Sequence, residues 1–295
     1  MSLISIITVN YNGFKLTVDM IYSIKKYLFV PYEIIVVDNG SIENEAEKIG
    51  KLFTEVIAVR SDKNLGFASG NNLGIKRAKG DYVFLLNNDT YIVDDSIKYL
   101  CEFLDENSQY GAVSPKIKFA SSNLVQFAGY TPLSKITIRN SVFGYKEDDK
   151  GQFDFSHETP YVHGAAVMVK KELFEKVGLM SEIFFLYYEE LDWSERIKKE
   201  GYMIGYDPRC QIFHRESSTT GVESSLKIFY ITRNRLLFSW RNRKGIVRLF
   251  SILYQICIAV PKNMVVYFIK GRLDLSASII KGVFAFFELK NKSQQ

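Results

Sequence analysis

Short apolar runs alternate with stretches of helical periodicity over the first hundred residues, and this alternation constrains the fold more than any other feature of the chain. The apolar runs are Leu3–Val9, Glu33–Val37, Val56–Val59 and Tyr82–Leu86. The helical patterns between them cover Lys15–Leu28, Glu43–Phe53 and Ser69–Ala78. Nearly continuous apolar runs are typical of strands covered on both faces. The alternation therefore predicts an α/β fold whose central sheet is mostly parallel and flanked by helices.

Polar clusters follow three of these apolar runs directly. They are Asn10–Gly13, Asp38–Ser41 and Asn87–Asp89. The carboxyl ends of parallel strands lie at one edge of a sheet, where α/β proteins bind their ligands. We therefore expect the three clusters to lie together at a binding site.

The last 55 residues differ from the rest of the chain in charge. Residues 241–295 contain ten Lys and Arg against two acidic residues, whereas the whole chain has a net charge of only +5. A mildly acidic body with a basic, apolar tail is unlike a nucleic-acid-binding face, so no nucleic-acid partner is expected. The pattern favours an anionic membrane surface or an acidic partner. We expect a main domain over residues 1–240 and an appended helical region over 241–295.

Three apolar segments lie in this tail, and each is bracketed by Lys or Arg. They are Leu249–Val260, which is closed by Pro261, then Asn263–Ile269 and Leu275–Phe287. Each is too short to span a bilayer as a separate helix, so a membrane-spanning helix is not expected. Amphipathic helices in the membrane interface fit the pattern. The alternatives are that these helices cover the main domain or join copies of the chain as a homo-oligomer.

The compartment is indicated by the N-terminus and by the cysteines. The first residues, MSLISIITVNYNG, contain neither a basic leader nor a signal cleavage pattern. Cys101, Cys210 and Cys257 are far apart and form no C-x-x-C pair, which favours a reducing compartment. We expect a cytoplasmic protein bound peripherally to the inner face of the cell membrane.

Two segments suit contact with a nucleotide or a sugar. Asp38, in VVDNGS, is able to accept hydrogen bonds from a base or a ribose, although an aspartate here is equally typical of a helix cap. The segment NLGFASGNNLG contains Asn64, Gly66 and Asn71, and its glycines and amides are able to approach a phosphate or sugar closely. It matches neither the dinucleotide-binding motif nor the P-loop, which makes those enzyme classes less probable.

Acidic residues at two further places suit a metal ion and a general base. Asp89, with Asn87 and Asn88 before it, is placed to hold Mg²⁺ or Mn²⁺, the alternative being a helix cap. The cluster Glu189-Glu190-x-Asp192 brings three carboxylates together, and such crowding is able to raise one pKa into the range of a general base. The other reading is a solvated start of a helix.

Six motifs occur in an order that resembles a known family. They are ITVNYNG, VVDNGS, NLGFASGNNLG, LLNND, FFLYYEELDWSERIKKEG and FHRESS. Over about residues 3–240 they resemble the family 2 inverting glycosyltransferases, and the bacterial rhamnosyltransferase-like branch most. The resemblance implies a GT-A fold, a nucleotide-diphosphate sugar donor and a divalent cation.

The resemblance also implies roles for particular residues. Val9 and Tyr11 match the first-strand positions that contact the nucleotide, and Asp38 matches the acid that binds the base. Asn87–Asp89 stands at the D-x-D position, where Asp89 would reach the metal, and Glu190 stands at the catalytic base. The remaining assignments are His214 as a second metal ligand, Asn64, Gly66, Asn71, Asn87 and Asn88 on the donor, and Glu189, Asp192, Trp193, Arg196 and Arg235 on the acceptor or diphosphate side.

Two positions depart from the family pattern. Asn87 replaces the first aspartate of D-x-D, so the donor phosphates are expected to hold much of the metal. Glu190 replaces the usual aspartate base, which moves the carboxylate by about 1 Å, a displacement on the scale that affects catalysis. Glu189 is the alternative base.

The reaction implied is a single displacement with inversion at the anomeric carbon. L-Rhamnose from dTDP-rhamnose is the first expectation for the donor, and a UDP-hexose or UDP-N-acetylhexosamine is the alternative. The expected acceptor is a glycan or a polyprenyl-diphosphate-linked glycan of bacterial cell-surface polysaccharide synthesis. A membrane scaffold that binds nucleotide-sugars without turnover is the non-enzymatic alternative.

Overall fold

The protein is represented by a computed structural model that describes residues 2–215 and 223–292, with side chains as far as Lys290. The chain divides into two compact units. The first comprises Met1–Thr131, Val142–Ile183 and Glu189–Glu216. The second comprises Pro132–Ser141, Phe184–Tyr188 and Ser217–Gln295. The C-terminal segment of the second unit thus includes the helix that begins at Ser225, whereas the sequence suggested that the appended region starts after residue 240.

The first unit is built on one mixed sheet. Its strands are β1 (Ile4–Asn10), β2 (Tyr32–Asn39), β3 (Ile57–Ser61), β4 (Tyr82–Leu86), β5 (Thr90–Tyr91), β6 (Tyr110–Phe119), β7 (Val125–Phe127), β8 (His157–Glu158), β9 (Ala166–Lys170) and β10 (Met203–His214). Its helices are α1 (Phe14–Tyr27), α2 (Glu45–Leu52), α3 (Gly66–Ile75), α4 (Lys98–Glu106), α5 (Leu173–Val177) and α6 (Glu189–Lys199).

The strand order is β3-β2-β1-β4-β9-β6-β10-β5, with β7 beside β6 and β8 beside β10. Strands β3, β2, β1 and β4 are parallel, which confirms the βαβ prediction for the first hundred residues. Beyond β4 the sheet is mixed, because β9 runs antiparallel to both β4 and β6. The α/β fold is thus confirmed, and the parallel arrangement holds for the N-terminal half.

Apolar side chains cover both faces of the sheet. Along β1, Ile6 belongs to one buried cluster and Ile7 to the other. Helix α3 packs closely on this strand because two of its residues have no side chain: a Cβ atom at Gly74 would lie 2.3 Å from the Cγ2 of Ile7, and one at Gly70 would lie 2.9 Å from the Cγ1 of Val9. These glycines of NLGFASGNNLG therefore serve helix–sheet packing.

The register brings the predicted clusters to one edge of the sheet. Asn10 at the end of β1 pairs with Asp38 at the end of β2. Strand β4 lies on the other side of β1, and residues 87–89 follow its last residue. The expectation of a shared edge is confirmed.

The second unit is helical, with α7 (Ser225–Asn242), α8 (Gly245–Tyr254), α9 (Val260–Ile269) and α10 (Leu273–Lys292). A π-helical turn over Gln255–Ala259 joins α8 to α9. Pro261, the second residue of α9, lies just after this π-helical turn. The prediction of two short helices separated at Pro261 is therefore wrong: Gly245–Ile269 is one helix of 25 residues.

That continuous helix is long and apolar enough to cross a membrane by length and composition. Only 11% of its most apolar 18-residue window is buried inside the protein. Its large exposed side chains include Phe250 and Phe268, and α10 exposes Phe284. The second unit therefore presents apolar surface together with the basic residues of the tail.

Candidate active site

Asp38 lies fully buried at the end of β2 and is already engaged by the protein. Its carboxylate accepts backbone N–H hydrogen bonds from Ser41 (3.1 Å), Glu45 (3.1 Å) and Ala46 (3.2 Å) and forms an ion pair with Arg60. These contacts hold the first turn of α2 against the strand end, which is the helix-capping role that the sequence left open. Contact with the base stays a prediction for Asp38.

A network that the sequence did not predict surrounds Asn10 at the end of β1. Its amide nitrogen donates to Glu45 Oε2 at 2.7 Å, and its amide oxygen accepts from Thr17 Oγ1 at 2.8 Å. Asn88 joins this network, since its amide donates to Thr17 Oγ1 at 3.0 Å. A Cβ atom on Gly13 would lie 2.6 Å from the same amide. Asn88 thus braces the start of α1, and its predicted contact with the donor stays untested.

The remaining predicted donor residues lie beside these strand ends. Tyr11 follows β1 and is exposed, while Val9 is half-buried. Asn64 Oδ1 accepts from the backbone N–H of Gly66 at 2.9 Å, where the chain enters α3 with a φ of +86°. Asn71 is buried and donates to the carbonyl of Phe67 one turn earlier. Asn64 and Asn71 therefore both shape α3.

Asp89 and His214, the two predicted metal ligands, form a buried pair. The pairing of β5 with β10 places His214 opposite Thr90, directly beside Asp89. The distance from Asp89 Oδ1 to His214 Nε2 is 3.0 Å. On the other side of the ring, His214 Nδ1 lies 2.8 Å from Gln126 Oε1. All three side chains are at least nine-tenths buried.

This pair fits a divalent cation. Although His214 Nε2 is close, Asp89 Oδ1 receives no hydrogen bond from residues 2–215 or 223–292. A carboxylate and an imidazole that face each other in this way are ligands that Mn²⁺ accepts, and a carboxylate suits Mg²⁺. The described part of the chain contains no group of three His, Cys, Asp or Glu suited to a metal. The other ligands would come from the donor diphosphate and from water. Asn87 is half-buried and lies two residues before Asp89. Its amide in place of a carboxylate agrees with a site in which the protein supplies few of the metal ligands.

Glu190 lies at the N-terminus of α6 and is half-buried, while Glu189 is buried. The Glu190 charge acts on Tyr130: burial is the main cause that raises the pKa of this phenol, and Glu190 raises it further. Tyr130 in turn stacks on His163, with ring centroids 6.1 Å apart. Burial, with a smaller effect of the His214 imidazole, lowers the pKa of His163 to about 3. The predicted base thus acts electrostatically on Tyr130, and His214 of the predicted metal pair acts on His163, the ring stacked on Tyr130.

Other residues predicted on the acceptor or diphosphate side hold α6 in place. Trp193 is fully buried, stacks on Phe174 and donates to the carbonyl of Gly178, which are packing contacts, and its assignment to the acceptor side stays a prediction. Arg196 donates to the carbonyls of Val177 (2.8 Å) and Leu179 (2.7 Å) and lies 3.5 Å from the carboxylate of buried Asp192. These contacts assign Asp192, Trp193 and Arg196 to packing.

In the second unit, α7 organises the segment Phe184–Tyr188. Arg235 Nε donates to the Tyr188 hydroxyl at 2.7 Å. Buried Asn234 donates to the carbonyls of Phe184, Leu186 and Tyr187 at 2.7–2.8 Å. Three residues of the segment have positive φ although none is glycine, a costly conformation that these contacts maintain.

Comparison with known proteins decides the family. The family model described as glycosyl transferase family 2 matches residues 5–178. The chain belongs to glycosyl transferase family 2. The family prediction is confirmed, whereas the rhamnosyltransferase-like branch is not specifically shown.

Two relatives of this glycosyltransferase have named activities. The low-salt glycan biosynthesis hexosyltransferase Agl10 of Haloferax volcanii is 28% identical over 244 residues, which cover 80% of this chain and 75% of that protein. The poly-beta-1,6-N-acetyl-D-glucosamine synthase of Staphylococcus aureus is 27% identical over 217 residues. The match covers 72% of this chain but only about half (49%) of the synthase.

Solved structures show the fold. GalNAc-T7, crystallised with UDP, GalNAc and Mn²⁺, gives a TM-score of 0.62 at 15% identity and covers 86% of this chain and 54% of its own. The mannosyltransferase PcManGT of Pyrobaculum calidifontis, in complex with GDP-Man and Mn²⁺, gives 0.58 at 15% identity and covers 96% of this chain and 76% of its own. Both are GT-A glycosyltransferases, so the predicted GT-A fold is confirmed.

Proposed function

We propose that this family 2 glycosyltransferase is an inverting enzyme that uses a divalent cation. It transfers a sugar from a nucleoside-diphosphate donor to a hydroxyl group of a glycan or of a polyprenyl-diphosphate-linked glycan. The observation that carries the proposal is the buried pair of Asp89 and His214, with 3.0 Å between carboxylate oxygen and imidazole nitrogen, at the sheet edge where β1 and β4 end. Mn²⁺ in the two structural neighbours supports the cation.

In the proposed reaction Glu190 accepts the proton of the acceptor hydroxyl. The oxygen then forms a bond to the anomeric carbon from the side opposite the nucleoside diphosphate, and the bond from that carbon to the diphosphate oxygen breaks. A cation at Asp89 and His214 would supply charge neutralisation for the departing diphosphate. His163, with a pKa of about 3, is neutral near pH 7 and adds no competing positive charge.

Two donor classes follow from different observations. The motif resemblance favours dTDP-L-rhamnose. The named activities of the two relatives, hexosyl transfer and synthesis of poly-N-acetylglucosamine, favour a UDP-hexose or a UDP-N-acetylhexosamine. A thermal-shift panel of these donors and their nucleoside diphosphates, with and without Mn²⁺, separates the classes, because a ligand that binds the native state raises the unfolding temperature.

Replacement of the base tests the mechanism. With the donor identified in the panel, Glu190→Gln should lower the rate of nucleoside-diphosphate release by about 10²–10⁴-fold and leave donor binding unchanged. The matched control is Glu195→Gln on the same helix, where the carboxylate accepts from the Tyr161 hydroxyl. Loss of activity in Glu189→Gln but not in Glu190→Gln would assign the base to Glu189. NMR of the product must show an inverted anomeric configuration, and retention would refute the single displacement.

We further propose that the second unit binds the cytoplasmic face of the cell membrane peripherally. Helices α8 to α10 expose Phe250, Phe268 and Phe284. Residues 241–295, which include these helices, contain ten Lys and Arg, which suits anionic lipid. A membrane-embedded polyprenyl-linked acceptor would gain a higher encounter rate from such binding. A homo-oligomer through these helices is the competing use of the same surface.

Vesicle co-sedimentation tests the membrane proposal. Phe250→Ser with Phe268→Ser should reduce binding to phosphatidylglycerol-containing vesicles, whereas Phe29→Ser and Phe155→Ser, two exposed phenylalanines of the first unit, should not. Deletion of residues after Gly245 should release the protein from cell membranes, and full retention at physiological salt would contradict the proposal. Resistance of the full chain to carbonate extraction would indicate a spanning helix, and a vesicle-independent dimer would favour the oligomer.

A further inference from the structure

Gln126 lies behind the histidine of the proposed metal pair. It is the central residue of β7, which pairs with β6, and β6 in turn runs beside the strand β10 that ends at His214. Gln126 is 4% exposed, and its Oε1 atom lies 2.8 Å from His214 Nδ1. A buried amide at this distance makes a full hydrogen bond to the ring.

The direction of this hydrogen bond decides the chemistry of the opposite ring nitrogen. An amide oxygen only accepts, so the hydrogen must be on Nδ1 of His214. A neutral ring protonated at Nδ1 presents the lone pair of Nε2 on its other side. That lone pair is directed toward Asp89 Oδ1, an acceptor 3.0 Å away that receives no hydrogen bond from the described residues. Two buried acceptors at this distance repel each other unless a cation or a proton lies between them.

We infer that Gln126 is a positioning residue that holds the His214 ring in the tautomer able to bind a cation, and so sets the affinity of the site. The inference rests on the proposed cation site of the enzyme and adds the group that prepares it. An outer hydrogen bond of this kind orients a ligating imidazole and raises its basicity, and its loss typically weakens metal binding by about 10–100-fold. A purely structural glutamine would have no such effect.

Mn²⁺ binding to the full chain without donor, measured by EPR, tests the inference independently of catalysis. Gln126→Leu removes the acceptor at similar volume, and the Kd for Mn²⁺ should rise about 10–100-fold. Gln126→Glu keeps an oxygen that only accepts, so it should bind Mn²⁺ at least as tightly as the parent enzyme. The control is Gln211→Leu, three residues before His214 on the same strand.

Pulsed EPR distinguishes positioning from a loss of folding. Bound Mn²⁺ should show ¹⁴N modulation from His214 in the parent enzyme and in Gln126→Glu, and lose it in Gln126→Leu, while the metal-free unfolding temperature of each variant reports stability separately. Equal Kd values in Gln126→Leu and Gln211→Leu would overturn the inference, as would equal weakening by Leu and Glu. No Mn²⁺ binding by the parent enzyme would overturn it as well. Mn²⁺ binding with ¹⁴N modulation but no sugar transfer would refute the proposed function alone.

Discussion

Close packing of α3 on β1 gives a sharp prediction for Gly74→Ala. The new Cβ atom would lie 2.3 Å from Ile7 Cγ2, whereas carbon atoms in contact are separated by about 3.5–4.0 Å. Ile7 is fully buried in the central strand, so it has no room to retreat, and α3 must move outward by about 1 Å. Such overpacking costs about 1–3 kcal/mol.

Helix propensity opposes this cost only in part. Alanine stabilises a helix by about 0.5–1 kcal/mol relative to glycine, so the net loss in the free energy of unfolding should be about 1–2 kcal/mol. For a unit of this size each kcal/mol lowers the unfolding temperature by about 2–4 °C. Urea and thermal unfolding followed by circular dichroism measure both quantities.

Gly50→Ala in α2 is the matched control. A Cβ atom there would lie 3.8 Å from the Cβ of Ala58, an ordinary van der Waals contact, so this variant should be about 0.5–1 kcal/mol more stable than the parent. If Gly74→Ala is as stable as the parent, the glycines of α3 are not required for its close packing on β1.

The same pair of variants tests whether α3 matters for the donor. Asn64 and Gly66 stand at the start of this helix and Asn71 in its middle. An outward displacement by about 1 Å is on the scale that disturbs a binding geometry. Gly74→Ala should therefore weaken binding of the nucleoside diphosphate in calorimetric titration, and Gly50→Ala should not. Equal affinities of the two variants for the nucleoside diphosphate would show that the position of α3 does not affect donor binding.

Three further predictions concern buried polar groups. Asp38→Ala leaves Arg60 and three backbone N–H groups without their carboxylate, and the free energy of unfolding in urea should fall by about 3–5 kcal/mol; unchanged stability would refute the capping role. The pKa of His163, about 3 in the folded protein against about 6.5 unfolded, means that the unfolded state takes up the proton first, so the free energy of unfolding should fall as pH drops from about 6.5 towards 3, and His163→Asn should flatten this dependence. Asn234→Leu removes the donor to three carbonyls, and limited proteolysis should then cut within residues 184–188 before any other described loop.

The sequence predicts what periodicity and strand ends encode. The runs at β1, β2 and β4 are apolar on both faces, which identifies parallel strands and places Asn10, Asp38 and Asp89 at one edge. The mixed half is harder to predict, because most of its pairings join segments far apart in sequence. Strand β9, for example, pairs with β4 across some eighty residues, and no local pattern specifies such a partner.

The same difference explains which site residues were missed. Asp89 and Glu190 stand in dense polar motifs that are recognisable in the sequence. Gln126 and Tyr130 lie between Phe119 and Pro160, where the sequence shows little hydrophobic periodicity. Their importance comes from partners distant in the chain: Gln126 meets a histidine 88 residues later. Trp193 shows the converse case, since its place beside the acidic motif suggested a ligand contact, whereas its side chain is fully buried in the core.

The chemistry of this site therefore depends on residues of two kinds: those that a local motif identifies and those that only the fold brings together. Acidic and amide groups at strand ends are local, so the motifs locate Asp89 and Glu190. The state in which those groups are held is nonlocal, because the tautomer of His214 is set by an amide from another strand. A variant at Gln126 that changes cation binding while the motif residues stay intact would show that motif content alone does not fix the affinity of such a site.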